Sequence, residues 1–231
     1  MIGDWLRRLG SRSGRAAGEP ARTQLATSPP PLVPKELRDY TKPSLGLAQF
    51  VSSIRDESGL SILDLGEISQ SNVSFITSLG HRLHSVDFLR TLDSLSPPGD
   101  PPGGPSRRDQ MEAFLDQTFD FERESLDGAL VWDCLQYLNR PLLLATVDRL
   151  YEVLRPRGHL LALFQNTERI QWAPVYSYRV VDQKTMHLTM RSQRQPVHSF
   201  NNRGIEKLFE RFEGVKFFLS RDNLREVIAR R

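Results

Sequence analysis

The residues best placed for chemistry stand where apolar runs end. Asp64 closes SILD and is followed by Leu65, Gly66 and Glu67; Asp87 ends RLHSVD; Asp133 and Cys134 follow DGALVW. An apolar strand running into a glycine is how a nucleotide-binding turn begins, because the missing side chain lets backbone approach a ligand closely. Cys134 follows an apolar strand, which reads as a small buried hydrophobe rather than a nucleophile. Tyr137, with an ordinary phenol pKa of about 10, is a poor base near neutrality and reads as a packing residue. The histidines (His81, His84, His159, His187, His198) show no metal-ligand spacing, and a single cysteine excludes a Cys-based zinc site.

The turn LDLGEISQSN carries Gly66 in its first position, but Ile68 and Gln70 where further small residues are expected. A β-branched residue resists positive φ, so Ile68 predicts a rebuilt turn, its side chain projecting into or reshaping the ligand space. Glu67 would repel a ligand carboxylate or attract a cationic group.

Alternating elements must position these residues. TKPSLGLAQFVSSIRDESG (41–59) predicts a helix stopped at Gly59; SILDLG (61–66) a buried strand; SNVSFITSLG (71–80) a helix; RLHSVDF (82–88) a strand. SPPGDPPGGPSRR (96–108) admits no core helix, and MEAFLD (111–116) reads as a weak strand or short helix. DGALVWD (127–133), RPLLLATVDRLYEVLRPRG (140–158) and HLLALFQ (159–165) form a strand–helix–strand unit, so the sheet is parallel there. The alternation in 172–197 predicts a hairpin turning at Asp182–Lys184. Residues 201–212 read as a helix, 214–220 as a strand and 224–231 as a strand or short helix.

A chain of 231 residues with 39% hydrophobic and 26% charged residues suits one globular domain plus a tail. The net charge of +3 resides in residues 1–22, where Arg7, Arg8, Arg12, Arg15 and Arg22 outnumber Asp4 and Glu19, leaving the remainder neutral. That offers no support for a nucleic-acid-binding face on the domain. Residues 1–34 read as a basic tail, disordered in its Pro/Gly/Ser-rich part. Ile2, Trp5, Leu6 and Leu9 there have helical spacing, which predicts a short amphipathic helix in 1–12 that contacts a partner or an anionic membrane surface. The domain is expected over 35–231. One cysteine and no secretory leader point to a cytoplasmic setting.

The order of these motifs, and above all SLDGALVWDCLQYLNRPLLLATVDRLYEVLRPRGHLLALF with its Leu-Arg-Pro-Arg-Gly exit, resembles the class I S-adenosylmethionine-dependent methyltransferases of the type 11 kind, over residues 42–231. The resemblance implies a Rossmann-like, doubly wound, seven-stranded, mostly parallel α/β sheet with one antiparallel strand near an edge. It also implies S-adenosylmethionine across the C-terminal ends of the strands. Carried over by position, Asp64, Gly66 and Glu67 fall on the glycine turn and Asp87 on the ribose hydroxyls. Asp116 falls at the adenine, and Trp132 and Asp133 at the methionine end. The methyl acceptor and any protein partner stay unnamed. Two functions are compatible with the residues: a divergent methyltransferase capped by 172–200, and a catalytically silent binding module on the same fold.

Overall fold

The computed structural model describes residues 32–95, 106–165, 171–219 and 224–231, all within one unit, Pro31–Arg231. The expectations for residues 1–31, and for most of the Pro/Gly segment, lie outside the described residues. The elements in chain order are β1 (Asp39–Pro43), α1 (Leu45–Ile54), β2 (Ser61–Asp64), α2 (Gln70–Ser78), β3 (Arg82–Ser85), α3 (Phe88–Leu95) and α4 (Arg107–Thr118). They continue with β4 (Leu126–Trp132), α5 (Arg140–Val153), β5 (Leu154–Gln165), β6 (Ala173–Asp182), β7 (Thr185–Arg194), α6 (Asn202–Leu208), β8 (Gly214–Leu219) and β9 (Leu224–Arg230).

The main sheet has the order β3-β2-β4-β5-β9-β8. Its first four strands are parallel, and β9 runs antiparallel to both β5 and β8. This is a doubly wound, mostly parallel α/β sheet with one antiparallel strand beside an edge. Six strands stand in it among the described residues, where seven were expected. The segment read as a weak strand or short helix at 111–116 is helical and lies inside α4. That helix is started by a capping box in which Ser106 accepts from the Asp109 N–H and the Asp109 side chain accepts from the Ser106 N–H. It is held to the core by Phe114.

β2 and β4 are buried along nearly their whole length, as parallel strands covered on both faces must be. Leu63, Ala129, Val131, Leu160 and Ala162 face α3, α4, α5 and α6 on one side. Ile62, Leu130, Leu161 and Leu163 face α1, α2 and a second sheet on the other.

That second sheet is three-stranded and antiparallel, in the order β1-β7-β6. The hairpin β6–β7 turns at Asp182–Lys184, where the Lys184 N–H donates to Asp182. β1 was read as the start of a helix and is instead a strand paired with β7 from Asp39↔Thr189 to Pro43↔Thr185. Its inward residue Lys42 hides the strand pattern; it is buried beside Glu226 of β9, with which it forms an ion pair at 3.5 Å. Glu226, 1% exposed, also accepts from Ser44 Oγ at 2.9 Å and from the Gly46 N–H at 2.7 Å. A carboxylate there satisfies the free donors at the start of α1 and meets the positive end of its dipole. This cluster ties the N-terminal strand and helix to the far side of the main sheet.

Candidate functional site

The C-terminal ends of β2, β3 and β4 open on one cavity of about 290 Å³. Gly66 and Glu67 line it from the turn after β2, Asp87, Leu89, Arg90 and Asp93 from the end of β3 and α3, and Trp132, Asp133 and Cys134 from the end of β4. Val175, Tyr176 and Tyr178 of β6 and Arg191, Ser192 and Arg194 of β7 form the wall opposite. Open α/β sheets bind ligands in this position, outside the carboxyl ends of the strands.

Asp64 and Asp116 stand outside this cavity, contrary to expectation. Asp116 is exposed on α4, an element that in a parallel sheet would have been the strand carrying it to the cavity. Asp64 is buried below the turn with both oxygens committed. Its Oδ1 accepts from the Gly66 N–H at 3.0 Å and from Trp132 Nε1 at 2.6 Å, and its Oδ2 accepts from Asn72 Nδ2 at 2.8 Å. Burial raises its carboxyl above the ordinary 3.8, and these three donors pull the other way.

Asn72, a residue that the sequence reading missed, carries the network onward. Its Nδ2 also donates to the Tyr178 carbonyl at 3.0 Å and its Oδ1 accepts from the Val180 N–H at 2.8 Å. One buried amide thus joins α2, the strand-end aspartate and the second sheet. An asparagine in the first turn of a predicted helix gave no signal that it would face inward.

The rebuilt turn differs from its sequence reading. Ile68 is 67% exposed, has no positive φ and does not line the cavity. Gly66 is not in the left-handed region either. It is required for close approach, since a Cβ there would lie 2.8 Å from Trp132 Nε1 and 2.9 Å from its Cδ1. The bulk in this turn therefore comes from Trp132 and not from Ile68. Trp132 has φ 53°, a left-handed conformation that costs a non-glycine residue about 1–3 kcal/mol. It is held there by the bond to Asp64 and by a parallel stack on Tyr178, with ring centroids 5.0 Å apart and an interplanar angle of 1°.

Asp87 sits between β3 and α3, half-buried. Its Oδ1 accepts from the Arg90 N–H at 3.2 Å, and Oδ2 makes no hydrogen bond among the described residues. Glu67 pairs through Oε1 with Arg191 at 2.7 Å, while its Oε2 has no hydrogen-bond partner among the described residues. Arg194 grips both oxygens of Asp93 at 2.5 Å and lies over the Tyr137 ring. These two ion pairs join β7 to the β2–α2 turn and to α3.

Asp133 is a strongly perturbed carboxyl of the site. It is buried, accepts from Gln165 Nε2 at 2.6 Å, and burial pushes its pKa up from 3.8 to about 7 despite that bond. Gln165 is fixed in turn by the Pro174 carbonyl at 2.7 Å. The Tyr178 hydroxyl lies in the field of this carboxylate without an aligned hydrogen bond. Burial, then the Asp133 charge, pushes the Tyr178, Tyr137 and Cys134 protons to higher pKa. Cys134 donates to the Val131 carbonyl at 2.9 Å and is inert as a nucleophile, and Tyr137 is a packing residue. No group of side chains with metal-ligand geometry occurs among the described residues.

No family model and no curated protein matches the chain. Among solved structures it is similar to the Burkholderia thailandensis 1,6-didemethyltoxoflavin-N1-methyltransferase, solved with 1,6-didemethyltoxoflavin and S-adenosylhomocysteine. Identity there is 14%, covering 80% of this chain and 76% of that one, with a TM-score of 0.44. A methyltransferase from Methanosarcina mazei is 18% identical, covering 76% and 93%, with a TM-score of 0.41. One from Mesorhizobium loti is 14% identical, covering 79% and 96%, with a TM-score of 0.37. By its own sheet, four parallel strands followed by an antiparallel strand inside a parallel edge with helices on both faces, the chain has a Rossmann-like, doubly wound, mostly parallel α/β fold.

Proposed function

We propose that the protein is a divergent class I methyltransferase that binds S-adenosylmethionine through its adenosyl part in the cavity between Gly66, Asp87 and Asp133. The observation that carries this reading is Asp87: it ends the second parallel strand, lines the cavity, and has one carboxylate oxygen uncommitted. That is a fit for the two hydroxyls of a ribose, and Leu89 beside it supplies an apolar surface for a base. When bound, the cofactor supplies an electrophilic sulfonium methyl. The chain's own work is to orient it and to handle the acceptor's proton. Asp133 suits the second task, because a carboxyl with pKa about 7 exchanges a proton near neutrality. Arg191 and Arg194 of β7 belong to the wall opposite the strand ends.

The test is calorimetric titration with S-adenosylhomocysteine. The reading expects saturable binding, weakened at least about tenfold in Asp87→Ala, as loss of hydrogen bonds to a charged group predicts. A second reading, a binding module without turnover, is favoured by the full commitment of Asp64 and by the indole lying on Gly66. That reading expects no heat and no thermal shift with either S-adenosylmethionine or its demethylated product.

A further inference from the structure

We infer that Arg191 is the oxyanion-binding residue of the cavity, so that the small molecule taken beside the nucleoside carries a carboxylate or phosphate group. The inference rests on the reading of this cavity as a ligand site given above and names the class of its second ligand.

The backbone of β7 is deformed at this residue. Val175 of β6 pairs with Ser192, and Tyr176 pairs with Met190, so Arg191 is an extra residue with no partner across the ladder. Consecutive residues of a regular strand point to opposite faces. Arg191 and Ser192 nevertheless both line the cavity, because the bulge re-aims a side chain that strict alternation would send away. Bulges of this kind are concentrated beside functional sites.

The guanidinium brought there has donors to spare. Its Nη2 donates to Glu67 Oε1 at 2.7 Å, and its Nε and Nη1 make no hydrogen bond among the described residues. Whichever Nη2 hydrogen Glu67 takes, the other lies alongside an N–H of Nε or Nη1, so one two-pronged face stays open. Such a face matches a pair of oxygens on a carboxylate or phosphate. The side chain is 51% exposed, so an incoming group can reach it. The Ser192 hydroxyl beside it also makes no hydrogen bond among the described residues. Arg194 is the poorer candidate: it is more buried, its Nη2 is taken by both oxygens of Asp93, and its guanidinium lies over the Tyr137 ring.

The charge of the cavity does not oppose an anion. The carboxylates of Glu67, Asp87 and Asp93 are matched in the lining by the guanidiniums of Arg90, Arg191 and Arg194. Burial keeps the Asp133 proton up to about pH 7. Val175 and Tyr176 offer apolar surface for the body of the ligand, and a volume of about 290 Å³ limits it to a small molecule.

Benzoate and phenyl phosphate are the probes, with neutral benzamide as reference, titrated by calorimetry in slightly acidic, low-salt buffer. They carry no nucleoside, so they read the oxyanion seat by itself. Wild type is expected to bind one of the two acids at least about tenfold tighter than benzamide, the scale of hydrogen bonds to a charged group. The acid that binds more tightly assigns the group as carboxylate or phosphate. Arg191→Gln, with folding checked by circular dichroism, is expected to lose the preference. Arg191→Lys, which keeps the charge and loses the fork, should reduce it at least about threefold. Arg55→Gln, which removes an exposed arginine that does not line the cavity, should keep it. Equal affinities for acids and amide on wild type, no saturable binding of either acid at millimolar concentration, or a preference undiminished in the folded Arg191 variants overturns the inference. S-adenosylhomocysteine is titrated separately onto the same samples. Its binding without any oxyanion preference refutes this inference alone, and its failure to bind with the preference intact refutes the adenosyl reading alone.

Discussion

Replacing Asp133 by Asn tests the electrostatics of the cavity floor with a neutral side chain of the same shape. The folded protein keeps the Asp133 proton up to about pH 7, whereas the unfolded chain releases it near 3.8. Between those values the folded state binds the extra proton, so stability falls as pH rises through the window and levels off above it. A gap of about three pH units at 1.36 kcal/mol each gives an upper limit of roughly 4 kcal/mol. The carboxyl is buried, so solvent screening takes little from that figure. In Asp133→Asn the amide oxygen still accepts from Gln165, and the titration is gone. Asp64, whose carboxyl burial also raises, is present in both proteins and cancels in the comparison. Urea unfolding of both at about pH 4.5, 6 and 8 reads the difference directly. The variant is expected to exceed the wild type by only about 1 kcal/mol at pH 4.5 and by several kcal/mol at pH 8. A difference that is flat with pH, or a variant less stable at pH 8, refutes the burial argument.

Three further outcomes follow from single contacts. Gly66→Ala forces a methyl group to within 2.8 Å of the indole and is expected to cost about 1–3 kcal/mol in urea unfolding, the range of overpacking. Glu226→Ala removes the ion-pair partner of the buried Lys42 and the acceptor of the Ser44 and Gly46 donors, and is expected to cost about 3–5 kcal/mol in urea unfolding, whereas Glu226→Gln, which keeps an acceptor for Ser44 and Gly46, should cost less. Asp116→Ala removes an exposed helical carboxylate and should leave S-adenosylhomocysteine binding and stability unchanged within about 0.5 kcal/mol; a weakened affinity by calorimetry would return Asp116 to the site.

The parallel strands were legible because burial on both faces demands continuous apolar runs, as in SILD and LDGALVW. The helix α5 was legible through Pro141 in its first turn and its inward leucines. β1 was not, because its inward Lys42 is made tolerable by Glu226, a partner 184 positions away that no local pattern announces. α4 left a local signal, Ser106 with Asp109, that the neighbouring prolines and glycines obscured. At the site, Asp87 and Asp133 could be placed from strand ends alone. The role of Asp64 could not, since a strand-end carboxylate looks the same whether it faces a ligand or an indole and an amide below. Trp132 was placed at the cavity from its position, but its close packing against Gly66 goes with a left-handed backbone that nothing in the residue type suggests.

The account stands or falls on where an adenosyl ligand sits. A crystal structure grown with S-adenosylhomocysteine tests it most directly. The predicted map shows the ribose on Asp87 and the base against Leu89, between the strand ends and the Tyr176–Tyr178 face of β6. Well-diffracting crystals whose cavity stays free of nucleoside density at saturating ligand, or that bind it away from Asp87, would contradict the account.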